Sequence, residues 1–230
     1  DVCSSDLSGQ GMVLLKDGGL FSGNFEKGHL NNGIYIKIKD SDKILKSFLG
    51  EHTSAEHSSH HHNDPVAHKK SVVELIDKYS HAMTAIQNVA SKINTTDLDK
   101  NYAQADTTVY RGDFGPNLLF HGKGTMTTDK SIYKGDFWGG QPHGQGDFKT
   151  KDNHTYTGEW GSGTYDGQGK LTYPDGSFYV GWFEMGVYHG FGAKHFKSKQ
   201  GETIKKQMGM WEQGNLVEEI KPEDEKSGRD

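Results

Sequence analysis

The chain has 230 residues, of which 32% are hydrophobic and 11% aromatic, with 31 glycines and a formal net charge of -5. That apolar fraction excludes one deep core, and abundant glycine beside aromatics favours short strands and frequent turns over a helical bundle. The acidic balance gives no global attraction to nucleic acid, no apolar run approaches the roughly 20 residues needed to cross a bilayer, and a lone cysteine, Cys3, excludes an internal disulfide framework and fits a reducing, cytoplasmic compartment.

In chain order, residues 1–7 (DVCSSDL) read as translated sequencing adapter rather than coding sequence. From Ser8, Gly9-x-Gly11 is followed ten residues later by Phe21-x-Gly23-x-Phe25-x-x-Gly28, so residues 8–43 are expected to form N-terminal hairpin repeats. Residues 44–104 interrupt them. The polar stretch with His52, His57, His60, His61, His62 and His68 reads as a loop, and without Cys or carboxylate partners at ligand spacing no metal site is expected there. After Asn63-Asp64-Pro65, a helix start signal, apolar residues at Val72, Ile76, Tyr79, Met83, Ile86, Ala90 and Ile93 alternate spacings of four and three. This predicts an amphipathic helix over about 65–94, whose stripe packs on the protein's own sheet or recruits a partner helix.

The organising feature is a period of 23: Tyr110, Tyr133, Tyr156 and Tyr179 recur at that spacing. Tyr133-x-Gly135-x-Phe137 leads to Gly140, His143, Gly144 and Gly146; Tyr156-x-Gly158-x-Trp160 leads to Gly163, Asp166, Gly167 and Gly169; Tyr179-x-Gly181-x-Phe183 leads to Gly186, His189, Gly190 and Gly192. The Tyr110 copy carries one extra residue before His121, Gly122 and Gly124, and Gly209-x-Trp211-x-x-Gly214 reads as a half-unit ending an array over residues 105–217. Residues 218–230 are charged and apolar-poor and are expected to be a disordered tail.

Side chains on a strand alternate faces, so Tyr156, Gly158 and Trp160 share one, with a bare site between two rings. Gly163 then allows a tight turn and the returning strand places Gly167, Gly169, Leu171 and Tyr173 together, so the unit is one hairpin. A lone hairpin is marginal in water, and tandem copies must bury one another. The expected fold is all-β: an elongated single antiparallel sheet of tandem β-hairpins with one inserted amphipathic α-helix. Tyr110, Phe114, Tyr133, Phe137, Tyr156, Trp160, Tyr179, Phe183 and Trp211 are then mainly packing residues. The opposite face differs between copies, reading Thr155, Thr157 and Glu159 in one but Phe178, Val180 and Trp182 in the next, with Phe191 and Ala193 following on the returning strand. Phe178, Val180, Trp182 and Phe191 form a candidate protein-binding patch.

The frame resembles the MORN repeat (membrane occupation and recognition nexus), whose signature is Tyr-x-Gly-x-Trp-x-x-Gly-x-x-x-Gly-x-Gly, over residues 8–40 and 105–217. Departures are Phe for Trp in several copies, irregular spacing from Gly28 to Gly33, and Gln207 where an aromatic is expected. The resemblance implies a non-catalytic scaffold or adaptor that binds a helix or extended peptide in the repeat groove, in the cytoplasm at a cytoskeletal or membrane-associated assembly. Similar arrays also precede lipid-kinase and lysine-methyltransferase domains, which makes a regulatory region of a larger enzyme the alternative; the acidic end of this chain favours a stand-alone module. Phospholipid binding is a further family theme, for which Lys194, Lys197, Lys199, Lys205 and Lys206 are the candidate headgroup ligands, although acidic and basic residues balance from Ala105 to Leu216. No cofactor is implied. His121, His143 and His189 recur in step with the repeat, as turn or strand-edge residues do and a general base does not, and Gly161-x-Gly163 through Gly167 lacks dinucleotide-site spacing. Resequencing of the transcript is expected to diverge upstream of Ser8; a genomic exon encoding the same seven residues would refute the adapter reading.

Overall fold

The computed structural model describes residues 8–15, 18–38, 40, 41, 43, 81, 84, 88, 103 and 106–221. Its strands are β1 (Gly9–Leu14), β2 (Leu20–Glu26), β3 (His29–Lys37), β4 (Thr108–Phe114), β5 (Phe120–Thr128), β6 (Ser131–Trp138), β7 (Gln141–Thr150), β8 (Thr155–Gly161), β9 (Thr164–Thr172), β10 (Phe178–Glu184), β11 (Val187–Lys197), β12 (Thr203–Glu212) and β13 (Asn215–Glu219). They form one antiparallel sheet in which spatial order equals chain order. The all-β expectation holds. The predicted helix over 65–94 lies outside the described residues, apart from the isolated positions His81, Thr84 and Asn88, and the histidine-rich loop lies wholly outside them. Because β3 pairs directly with β4, with Tyr35 opposite Tyr110, the repeat array is continuous across the insert.

One register row explains the glycine spacing. Gly11, Gly23, Gly33, Gly112, Gly124, Gly135, Gly146, Gly158, Gly169, Gly181, Gly192 and Gly209 are successive cross-strand partners from β1 to β12. A Cβ on Gly135 would stand 2.5 Å from the Gly146 Cα and 2.7 Å from the Tyr133 hydroxyl, so no side chain fits. Over this bare row lie the tyrosines: Tyr110, Tyr133 and Tyr156 each donate a 2.8 Å hydrogen bond to the carbonyl three residues on, Asp113, Asp136 and Glu159, and Tyr179 donates to the Trp182 carbonyl at 3.1 Å. Those carbonyls sit where the register slips beside the row, at bulges after Gly112, Gly135, Gly158 and Gly181.

Among the described residues the aromatics bury one another. Tyr156 stacks on Tyr165 and Tyr179 on Tyr188, both at 3.8 Å, while Phe183 meets Tyr156 edge-on at 5.2 Å and so joins consecutive hairpins. Where the repeat has Trp, a further bond crosses: Trp160 Nε1 donates to the Gly146 carbonyl and Trp211 Nε1 to the Gly192 carbonyl. The hairpin tips also interlock. Met185 and Gly186 both have positive φ, the type I′ pattern that matches strand twist, and the Gly186 N–H donates to the Tyr165 carbonyl of the preceding hairpin, as Gly140, Gly163 and Gly214 do to theirs. The extra residue of the Tyr110 copy is absorbed by a 3₁₀ turn, Pro116–Leu118, in place of the two-residue tip. On the opposite face, Ile38 and Val109 form a smaller cluster with Ile34, Ile36 and Ala103, beside Leu20 with Leu14.

Gly135→Ala is expected to lower stability by about 2–3 kcal/mol in urea unfolding, through overpacking against the Gly146 backbone and Tyr133. Gly139→Asn is the contrast: φ there is +58 with nothing within 4 Å of a Cβ, and Asn tolerates that conformation, so the change should cost less than about 1 kcal/mol.

Candidate functional site

The bulge beside the glycine row brings a side chain from the outgoing strand against the returning backbone on the opposite face. Asp136 accepts from the Gln145 N–H at 3.0 Å, and Asp113 accepts from the Lys123 N–H at 3.2 Å. The next residue backward, Gly144 or Gly122, has φ near +60 and abuts that carboxylate. An acid at this place therefore caps the bulge, and Glu159 occupies it in the following copy. In β10 the place belongs to Trp182, which packs over Gly190 instead. A stabilising local device has been replaced by a large apolar side chain that is 47% exposed.

The replacement is part of a wider change. On β4 to β9 the positions flanking the glycine row on this face are Arg111, Asp113, Lys123, Thr125, Lys134, Asp136, Gln145, Asp147, Thr157, Glu159, Gln168 and Lys170. From β10 onward they are Val180, Trp182, Phe191, Ala193, Met208 and Met210, with Val180 opposite Ala193 and Phe191 opposite Met210. Val180, Trp182, Phe191 and Met210 are each between 39% and 48% exposed, whereas Ala193 is buried. Three members of the expected patch therefore lie together. Phe178 stands at its border, stacked face to face on His195 at 4.4 Å with Lys170 Nζ 4.5 Å from its ring. Met208 and Met210 were not anticipated from the sequence, although their alternation about Gly209 repeats that of Val180 and Trp182 about Gly181.

Beside the patch, over β5 to β8, runs an open polar groove of about 500 Å³ lined by Lys123, Thr125, Lys134, Gln145, Asp147 and Thr157. Within it Lys123 pairs with Asp136 at 2.6 Å and holds that carboxyl below the usual range, and Thr157 donates to Asp147 at 2.7 Å. The five candidate headgroup lysines do not converge. Lys194 lies over the rings of Tyr173, Tyr188 and Phe196 and Lys205 over Phe196, on the aromatic face; Lys206, opposite His195, is on the other. Lys197 donates to the Thr203 hydroxyl and Lys199 sits in the following turn.

The repeat aromatics Tyr110, Phe114, Tyr133, Phe137, Tyr156, Trp160, Tyr179, Phe183 and Trp211 are all buried in the main core. Burial pushes their phenols up, Tyr179 to about 12 and Tyr110, Tyr133 and Tyr156 further, so they stay neutral donors at any physiological pH. The recurring histidines stay apart: His121 packs on Trp138 at 4.5 Å, His143 lies opposite Asp136, and His189 Nδ1 lies 3.3 Å from Glu184 Oε2 without hydrogen-bond alignment. Among the described residues no group of His, Cys, Asp or Glu could hold a metal ion, and no helix is long and apolar enough to cross a membrane. No family model matches this chain, and no curated protein matches its sequence.

His195 titrates below the ordinary imidazole value, because its stacked setting desolvates the charged form and Lys206, Lys197 and Lys170 repel it. Folding therefore opposes its protonation, and its contribution to stability is present above the unfolded value and falls as pH drops through the mildly acidic range. In an NMR titration Lys206→Glu is expected to raise the His195 midpoint; an unchanged midpoint would rule out the lysine contribution.

Proposed function

We propose that the protein is a non-catalytic scaffold or adaptor of the MORN-repeat type that holds a helix or extended peptide of a protein partner, in a cytoplasmic, cytoskeletal or membrane-associated assembly. The observation that carries this reading is the exposed cluster Val180, Trp182, Phe191 and Met210, at positions that flank the glycine row and are polar or charged from β4 to β9. Large exposed apolar side chains gathered in one place mark interaction surfaces more often than they serve folding. Trp182 strengthens it further, since an acid there would cap the bulge as Asp113 and Asp136 do. Phospholipid binding draws less support, because the candidate lysines divide between the two faces.

Trp182→Asp separates binding from folding. The carboxylate is placed to accept from the Phe191 N–H, so thermal stability should hold or rise by up to about 1 kcal/mol. Quantitative proximity labelling with the same variant should lose a discrete set of neighbours present with the wild-type chain. Identical labelling by a folded Trp182→Asp protein would refute the proposal.

A further inference from the structure

The charges bordering the apolar cluster are segregated along the strands. Toward the inter-repeat turns the cluster meets His195 and Lys206, paired with each other on β11 and β12, and Lys170, on β9 beside Val180, extends its Nζ over Phe178 to the same side. Toward the hairpin tips it meets Glu184, beside His189, and Glu212, while Glu218, opposite Met210 on β13, closes one end of the cluster. Lys170, Lys206, Glu184, Glu212 and Glu218 are exposed. The cluster is thus a band running across β10, β11 and β12, with a basic border on one long side and an acidic border on the other.

Resting on the protein-partner reading above, we infer that the occupant of this band is a short amphipathic helix of another protein, laid across the strands, with acidic residues on one flank of its apolar stripe and basic residues on the other. Three strands about 4.8 Å apart span about 10 Å, roughly two helical turns of 5.4 Å. A stripe at i, i+3 or i+4 and i+7 then meets Val180, Trp182, Phe191 and Met210, while its acidic flank faces Lys170 and Lys206 and its basic flank Glu184 and Glu212. Other occupants fit less well. An anionic bilayer would be drawn to the lysines and repelled by Glu184, Glu212 and Glu218 on the other side and end of the band. The four exposed apolar residues are too few for the roughly 800 Å² per partner of a stable dimer.

The test uses the full chain and three fluorescent helical peptides of about 15 residues sharing one apolar stripe: charges segregated by flank, the same charges mixed over both flanks, and both flanks acidic. Fluorescence anisotropy should show the segregated peptide binding about tenfold tighter than the mixed one, a preference scaled from two rim charge pairs. Lys170→Glu with Lys206→Glu should erase it, Glu184→Lys with Glu212→Lys should transfer it to the acidic peptide, and Trp182→Ala or Phe191→Ser should weaken all three at unchanged circular dichroism. Equal affinity for segregated and mixed peptides, lost with Trp182→Ala, would overturn the charge-matched helix while leaving the protein-partner reading intact. No peptide binding, together with Trp182-dependent binding to phosphatidylserine vesicles, would overturn both. Trp182-dependent self-association by light scattering, or tight binding of a peptide of residues 65–95, would overturn it in favour of a second copy or the chain's own insert.

Discussion

The contact on which the rest depends is a tyrosine ring laid over a glycine row. Among the described residues no second layer lies over the aromatic face, and its cover comes from the strands themselves. Glycines at the row leave room for rings to lie against the backbone, and each tyrosine hydroxyl then reaches the carbonyl three residues on, at the bulge. That one placement buries the ring, satisfies the phenol and fixes the irregularity that bends the strand. It also makes the glycines irreplaceable in a way that turn glycines such as Gly139 are not, because the obstacle is backbone and a buried ring rather than φ alone.

Coupling between units follows from the same geometry. Edge-on contacts such as Phe183 with Tyr156, and tip hydrogen bonds such as Gly186 with Tyr165, each reach back one hairpin. Stability is therefore assembled from neighbour contacts on the aromatic face and along the tips. The other face is left with little structural duty beyond capping the bulges. It is free to vary, and it does: it is apolar near β3 and β4, where Val109 is fully buried, polar and charged from β5 to β8, where Lys123 pairs with Asp136, and apolar and exposed from β10 to β12.

Much of this was legible from residue spacing. The period of 23 and the Tyr-x-Gly-x-Phe/Trp alternation specify strands, faces and turns, because a two-residue alternation and tight turns leave few other arrangements. Gly163 and Pro174-Asp175-Gly176 were recognisable as turns, and Leu171 and Tyr173 as facing the aromatics, and they do. The patch was partly visible, since Val180, Trp182 and Phe191 break the polar pattern of the preceding copy. Met208 and Met210 were not, because the Gln207 copy departs from the frame that would have aligned them. The apolar underside at Ile34, Ile36 and Val109 was hidden for a related reason: its members are divided between strands separated by the insert.

The sequence by itself determined the hairpin unit, its turns and which aromatics face inward, since these are local consequences of alternation and glycine placement. Only the tertiary structure decided the continuity of β3 with β4, the single glycine row, the capping of the bulges by Asp113 and Asp136 and the separation of the lysines onto two faces. All four rest on cross-strand register, which sets which residues from distant parts of the chain stand opposite one another and which no short window of sequence contains.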